Sequence, residues 1–197
     1  MRQAILGWAV WALLPAVAAG QGTIPAAVAS GTAEPQRRLE PTAAAGRFDG
    51  AELGGADLRR ADFRGASLVE ARLAFVRLDA ADFGAADLSY ATLLPDSAVQ
   101  ANFTRAVLAH VTGNGANFDG AVLGVSRAPG ANFAGASFVG AYLADADLTG
   151  ASFAFANLTD ANLTGADVTS ATFFGAIWRN TTCPDGSNSN ARPNCGL

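Results

Sequence analysis

The sequence repeats every five residues from Gly46 to Asn180 without a change of register. Of the 27 consecutive pentads in this stretch, 22 begin with alanine and 22 carry leucine or phenylalanine at the centre. A helix repeats its apolar face every ~3.6 residues and a flat strand every ~2, so neither fits a period of five. The repeat requires a chain that turns a corner every five residues, and this requirement constrains the fold more than any other feature.

The pentads also share a composition, seen in units such as ADLRR, ADFRG, ANFTR, ANFDG, ADLTG, ANLTD and ANLTG. They resemble the pentapeptide-repeat family, whose units run small residue, Asp or Asn, Leu or Phe, and two variable positions. The resemblance implies an all-β fold, a right-handed quadrilateral parallel β-helix with four pentads per coil and about seven coils over residues 46–180. It also implies that the leading and central residues point inward and the other three outward.

The order of the central residues supports this coil length independently of the family. With four pentads per coil, residues 20 apart stack on adjacent rungs at ~4.8 Å, the spacing of parallel strands. When the central residues are grouped by their position in the 20-residue coil, phenylalanines fall above one another, and stacked phenylalanines pack favourably. The predicted columns are Phe63, Phe83 and Phe103; Phe133, Phe153 and Phe173; and Phe118 with Phe138.

Outward residues give weaker support for the same register. Opposite charges on adjacent rungs stabilise a sheet, and like charges destabilise it. The favourable pairs are Glu52 with Arg72, Asp57 with Arg77, and Arg59 with Asp79, whereas Asp62 with Asp82 and Asp147 with Asp167 are unfavourable.

The stretch from Leu94 to Gly130 departs from the consensus, with weak centres at Ala98, Gly113 and Ala128. Two interpretations remain open: a coil with a thin core, or a loop leaving one face. Loops on rigid scaffolds often carry function. The candidate binding face is therefore placed here, where Tyr90 and His110 are predicted to stack in one outward column beside Arg105.

The N-terminus has the pattern of an export signal. Arg2 precedes the apolar run 4–19, which ends in small residues, so residues 1–20 are predicted to be a cleaved signal peptide. The alternative is a membrane anchor, but the run is shorter than the ~20 residues needed to span a bilayer. Residues 21–45 lack apolar periodicity and are predicted to be a disordered linker. These features predict a periplasmic or secreted protein without a stable membrane anchor.

Both cysteines lie beyond the repeat, in the predicted tail 181–197. In an exported protein, two cysteines without another thiol favour a Cys183–Cys195 disulfide. A redox or metal-binding pair is the alternative, and Asp185, Asn188 and Asn190 weakly suggest calcium. Trp178, the last central residue, is predicted to cap the coil together with this tail, since a repeat array needs capped ends.

No residues are arranged for catalysis or for a cofactor or metal. The single histidine, His110, falls at an outward position. The net charge is −4, and the chain contains arginine but no lysine. We therefore predict a non-enzymatic scaffold or protein-binding module that contacts an envelope or extracellular protein and no nucleic acid; its oligomeric state stays open.

The alternative is a resemblance to the DNA-mimicking, gyrase-protecting members of the family. Those members are cytoplasmic and strongly acidic, and usually dimerise through a C-terminal helix. Here the repeat holds nine arginines against fourteen acidic residues, and cysteines stand where that helix would be.

Overall fold

A computed structural model describes residues 43–94 and 97–197. The predicted signal peptide and most of the predicted linker lie outside these residues. Each side of the coil carries a single-residue parallel bridge rather than a long strand. Bridges join residues 20 apart, beginning with Arg47 to Ser67 and ending with Asn162 to Thr182. The coil therefore closes every four pentads.

A left-handed residue bends the chain at every fifth position. The amide of Ala51 donates to the carbonyl of Phe48 at 3.0 Å, closing a tight turn around Asp49 and Gly50. Gly50 has φ +65°, and Arg60 has φ +60° at an equivalent corner. Glycine adopts this left-handed conformation without steric cost, whereas other residues adopt it at a cost in energy. The five-residue period is thus the spacing of these corners.

Amides and carbonyls on the sides connect neighbouring rungs. The amide of Leu53 donates to the Arg72 carbonyl and the amide of Arg72 to the Ala51 carbonyl, both at 2.9 Å. The ladder begins before the predicted boundary at 46, since Ala43 is buried and Ala45 donates to the Arg64 carbonyl. It also passes the predicted end at 180, since Gly165 donates to the Pro184 carbonyl.

The core is a narrow column filled by the leading and central residues. Phe63, Phe83 and Phe103 are fully buried, with centroids 5.1 and 5.2 Å apart and interplanar angles of 3°. Phe118 stacks on Phe138 at 5.0 Å and 12°.

The third phenylalanine column is less regular than the other two. Phe133 and Phe153 are tilted by 38°, and Phe153 stacks on Phe173 at 13°. Phe173 is only partly buried.

The irregular stretch continues as coil over residues 97–130, and the loop interpretation does not hold there. Pro95 and Asp96 lie outside the described residues. At the weak centre Gly113, a β-carbon would come within 3.0 Å of the Phe133 ring. The ring occupies the space that a larger centre would take, which explains how the core tolerates glycine.

One short helix follows the coil, the 3-10 turn Pro193–Gly196. Cys183 and Cys195 form a disulfide, with a Cα–Cα distance of 5.4 Å. Within the described part of the chain, no helix has the length and apolar character needed to cross a membrane.

Candidate binding surface

The described residues contain no cluster of three or more histidine, cysteine or acidic side chains that could hold a metal. His110 lies exposed at a corner, as its outward register predicts. Asp185, the candidate calcium ligand, instead accepts hydrogen bonds from Ser187 and Arg192. The hydroxyl of Ser187 is the main cause of the lowered pKa of Asp185.

Tyr90 and His110 stack at one corner of the coil. Their ring centroids are 5.1 Å apart with an interplanar angle of 19°, and Tyr90 is 60% exposed. The His110 ring in turn lies over Gly130, where a β-carbon would come within 2.6 Å of Nδ1. Glycine on the third rung thus provides the space that the stack needs. We call this column of corner residues, which runs through residues 50, 70, 90, 110, 130, 150 and 170, the Tyr90 corner.

Arg105 belongs to a different corner. It stands five residues before His110, so one side of the coil separates the two positions, and its own column contains Ala85 and Val125. The predicted binding face is therefore divided: the two rings share a corner, and the guanidinium does not join them.

Several large apolar side chains occupy left-handed corners and are exposed. Phe75 has φ +57° and is 70% exposed, and Phe155 has φ +59° and is 62% exposed. Val125 is β-branched, with φ +58° and 51% exposure. Every corner of the coil that the structure describes is left-handed, so φ alone does not distinguish these residues. They differ from the other corners in exposing a large apolar side chain.

One side of the coil carries no charge over five consecutive rungs. It comprises 91–94, 111–115, 131–135, 151–155 and 171–175, and we call it the neutral face. Parallel bridges hold its rungs in one register. It is bounded by the Tyr90 corner and by the column of residues 55, 75, 115, 135, 155 and 175, here the Phe155 corner. Its outward residues are Thr92, Leu94, Thr112, Asn114, Asn132, Ala134, Ser152, Ala154, Thr172 and Phe174.

Comparison with known proteins identifies the repeat. The family model for pentapeptide repeats matches eight copies, within residues 47–84 and 130–165. The chain is 31% identical to HetL, a pentapeptide repeat protein involved in heterocyst differentiation regulation in the cyanobacterium Nostoc sp. strain PCC 7120. That match covers 73% of each chain, with a TM-score of 0.28. The chain belongs to the pentapeptide-repeat family.

Two further solved structures are less similar in sequence than HetL. A pentapeptide repeat protein from the Arabidopsis thaliana thylakoid lumen is 24% identical, covering 64% of this chain and 67% of that one, with a TM-score of 0.31. QnrB1, a plasmid-mediated fluoroquinolone resistance protein, is 21% identical, covering 66% and 76%, with a TM-score of 0.33. No curated protein matches significantly.

The C-terminal end of this pentapeptide-repeat coil is only partly covered. Trp178 packs on Phe173, with centroids 5.0 Å apart, and both remain partly exposed, as does Val168. The disulfide-closed tail pairs along one edge, where Thr182 forms an antiparallel bridge with Asn188. Trp178 and the tail therefore form a partial cap rather than a lid over the whole rung.

Arginines organise the charges on the first rungs. The Asp62 carboxylate accepts from Arg64 Nε at 2.9 Å and Nη2 at 2.7 Å, while Arg64 Nε lies 3.9 Å from Asp82. The guanidinium of Arg64, on the same rung as Asp62, therefore lies close to both carboxylates of the like-charge pair Asp62 and Asp82. This hydrogen bonding is the main cause of the lowered pKa of Asp62, and Arg59 acts in the same way on the pKa of Asp57.

The neutral face is not predicted by the charged outward pairs, although the sequence carries a signal for it. The 20-residue register that pairs Glu52 with Arg72 also places the uncharged Thr92, Thr112 and Asn132 in the same column.

Proposed function

We propose that this chain is an exported, non-enzymatic scaffold that binds another protein through its exposed corners. The supporting observation is the group of large apolar side chains exposed at the corners, among them Tyr90 and Phe155. A rigid repeat array suits this role because it presents contact residues at fixed spacing. The coil is taken as right-handed and square with about seven turns, as the family resemblance implies.

Export is the second part of the proposal. It rests on the signal-like residues 1–20 and on the disulfide, which suits an oxidising compartment. Intact-mass measurement of the protein recovered from its native host should show a chain that has lost about 20 residues and lies outside the cytoplasm. A cytoplasmic chain that still begins at Met1 would contradict export.

Binding is tested by comparing variants during capture from the cell envelope. The tagged mature protein is crosslinked in cells beside a double Tyr90→Ala, His110→Ala variant. Gln100→Ala is the matched control, since Gln100 also occupies a left-handed corner but on a different column. The proposal expects a partner that the native chain and the Gln100 variant retain and the double variant loses. Equal capture by all three proteins would remove the Tyr90 corner from the binding site.

DNA mimicry makes the opposite prediction. Three acidic side chains of the first rungs, Glu52, Asp57 and Asp62, are paired with arginines, which reduces the negative field a mimic needs. Mature protein at micromolar concentration should therefore leave gyrase supercoiling, and its sensitivity to a quinolone, unchanged. Inhibition or protection, combined with cytoplasmic retention, would favour the mimic.

A further inference from the structure

Over its five rungs, the neutral face and both corners that bound it contain no acidic residue and no arginine. Its parallel bridges link Thr92 to Thr112, Thr112 to Asn132, and Ser152 to both of its neighbouring rungs. At ~4.8 Å per rung, the five rungs extend over about 20 Å. The next rung toward the N-terminus ends this surface with Arg72, which pairs with Glu52 at 2.9 Å.

The opposite side of the coil carries Asp62, Arg64 and Asp82 on its first rungs. From 101–104 onward that side is also uncharged, but charged corner residues such as Arg105, Asp145 and Asp160 bound it. A face whose bounding corners are uncharged as well points to an apolar or neutral contact, because burying unpaired charge is costly.

On the two corners that bound the neutral face, each large residue has a small residue at the same distance on the other side of the rung 131–135. On the Tyr90 corner, Tyr90 and His110 are followed by Gly130, Gly150 and Ser170. On the Phe155 corner, Gly115 and Gly135 precede Phe155, and Gly175 follows it. A contact surface with this distribution fits a partner whose large and small residues run in the reverse order.

We infer that the neutral face binds a second copy of this chain, with the two rods antiparallel about a two-fold axis at the rung 131–135. Such an axis lies in the contact plane and runs perpendicular to both rods. Each corner of one copy then faces the same corner of the other copy, and the residues of the two corners run in opposite directions. His110 then faces Gly150, and Tyr90 faces Ser170. On the other corner Phe155 faces Gly115.

The apolar residues between the corners also match. Phe174, which is 75% exposed, faces Leu94 of the second copy, and this contact occurs twice by symmetry. Phe174 is already held against Phe155, with ring centroids 5.3 Å apart at 86°. The two aromatic rings therefore form a preorganised pair at each end of the contact.

A parallel arrangement of the two rods is less favourable. It would continue the overlap past the neutral face and bring Glu52 and Arg72 of both copies into the contact. The antiparallel arrangement overlaps only the five uncharged rungs. Their footprint, about 20 by 15 Å from strand dimensions, is small for a specific interface, so the dimer should be weak and reversible.

This inference rests on the proposed function only in treating the exposed corners as contact residues. It is tested by sedimentation of the purified mature chain over a concentration series. The native chain should form a reversible dimer at high micromolar concentration. Asn132→Arg places two guanidinium groups against each other on the axis and should weaken association at least tenfold.

The matched control is Asn162→Arg on the opposite side. Both asparagines accept a hydrogen bond from the amide two residues later, at 3.1 Å for Asn132 and 2.9 Å for Asn162. Asn162 also accepts a hydrogen bond from the Thr164 hydroxyl at 2.7 Å, so the control variant loses more local bonding than the Asn132 variant. Circular dichroism checks that both fold. The Asn162 variant should dimerise like the native chain.

The position of the axis gives a sharper test. Asn132→Asp and Asn132→Arg should each be mainly monomeric alone, whereas an equimolar mixture should form a heterodimer through opposite charges. A native chain that remains monomeric to ~1 mM, or equal weakening by the Asn162 variant, would overturn self-association. A mixture that fails to associate would overturn the antiparallel arrangement. Capture of a different protein by a strictly monomeric chain would leave the proposed function standing and refute this inference.

Discussion

The first coils, residues 43–94, and the later coils, 97–182, are stabilised on their outer surface by different interactions. Arginine–carboxylate pairs connect the first rungs, as between Arg72 and Glu52 and between Arg77 and Asp57. Over the described residues 97–182 the structure records no ion pair. Hydrogen bonds from uncharged donors take their place, such as Thr172 to Ser152 at 3.3 Å and Asn180 to Asp160 at 2.7 Å.

The cores of the two regions differ as well. The first region contains the parallel stack that begins with Phe63, with one edge contact from Phe48 at 81°. The later region combines stacks, such as Phe118 on Phe138 at 12°, with edge contacts that cross columns, such as Phe133 with Phe138 at 88°. The same repeat therefore supports both a single-column aromatic stack and a cluster that crosses columns. The outer surface can change along the chain because the core and the backbone hydrogen bonds between rungs maintain the coil.

The largest difference should come from removing one aromatic ring from each region. Phe83→Ala deletes a fully buried ring between two others and should lower the free energy of unfolding by about 3–5 kcal/mol. Phe173→Ala removes a partly buried ring at the last rung and should cost less than half as much. Urea denaturation followed by circular dichroism measures both. Equal losses would show that the C-terminal rung is as well covered as the middle of the rod.

Reduction of the disulfide should affect the later coils alone. Closing the loop between Cys183 and Cys195 is worth about 3 kcal/mol in the chain-entropy description. Because solenoid contacts are local, reduction should raise amide exchange near Thr182 and leave exchange near Leu53 unchanged. Hydrogen exchange under reducing and oxidising conditions makes the comparison. Simultaneous loss of protection throughout the rod would show one cooperative unit.

Acid should destabilise the first coils more than the later coils, which is the reverse of the effect of reduction. It should be the smallest of the three effects. The pKa values of Asp57 and Asp62 are lowered by arginine hydrogen bonds. Their stabilisation is present above the unfolded-state pKa near ~4 and is lost as pH falls through the lower folded-state pKa. These pairs lie at the surface, so each contributes less than about 1 kcal/mol. Exchange measured from pH 5 downward should rise first near Leu58, and high salt at pH 7 should have a similar, smaller effect. Earlier exchange near Phe138 would contradict this assignment.

Much of the architecture could be predicted from sequence because the repeat is local. A five-residue turn followed by an inward leucine or phenylalanine specifies the same geometry wherever it occurs. The 20-residue sorting likewise predicted which rings stack, and the structure places Phe63, Phe83 and Phe103 in one buried column. The candidate surface was less predictable. Tyr90 and His110 stack as their register indicates, but Arg105 lies on another corner.

The sequence by itself determined the period, the inward residues and the export-like N-terminus, since each follows from residue order over short distances. Only the tertiary structure decided how the coil ends and how its charges pair. Trp178 leaves the last rung partly exposed because the tail folds back along one edge. Asp62 tolerates Asp82 because the long side chain of Arg64 reaches both carboxylates. Such outcomes depend on side-chain reach and on neighbours distant in sequence, and a pattern of residue types records neither.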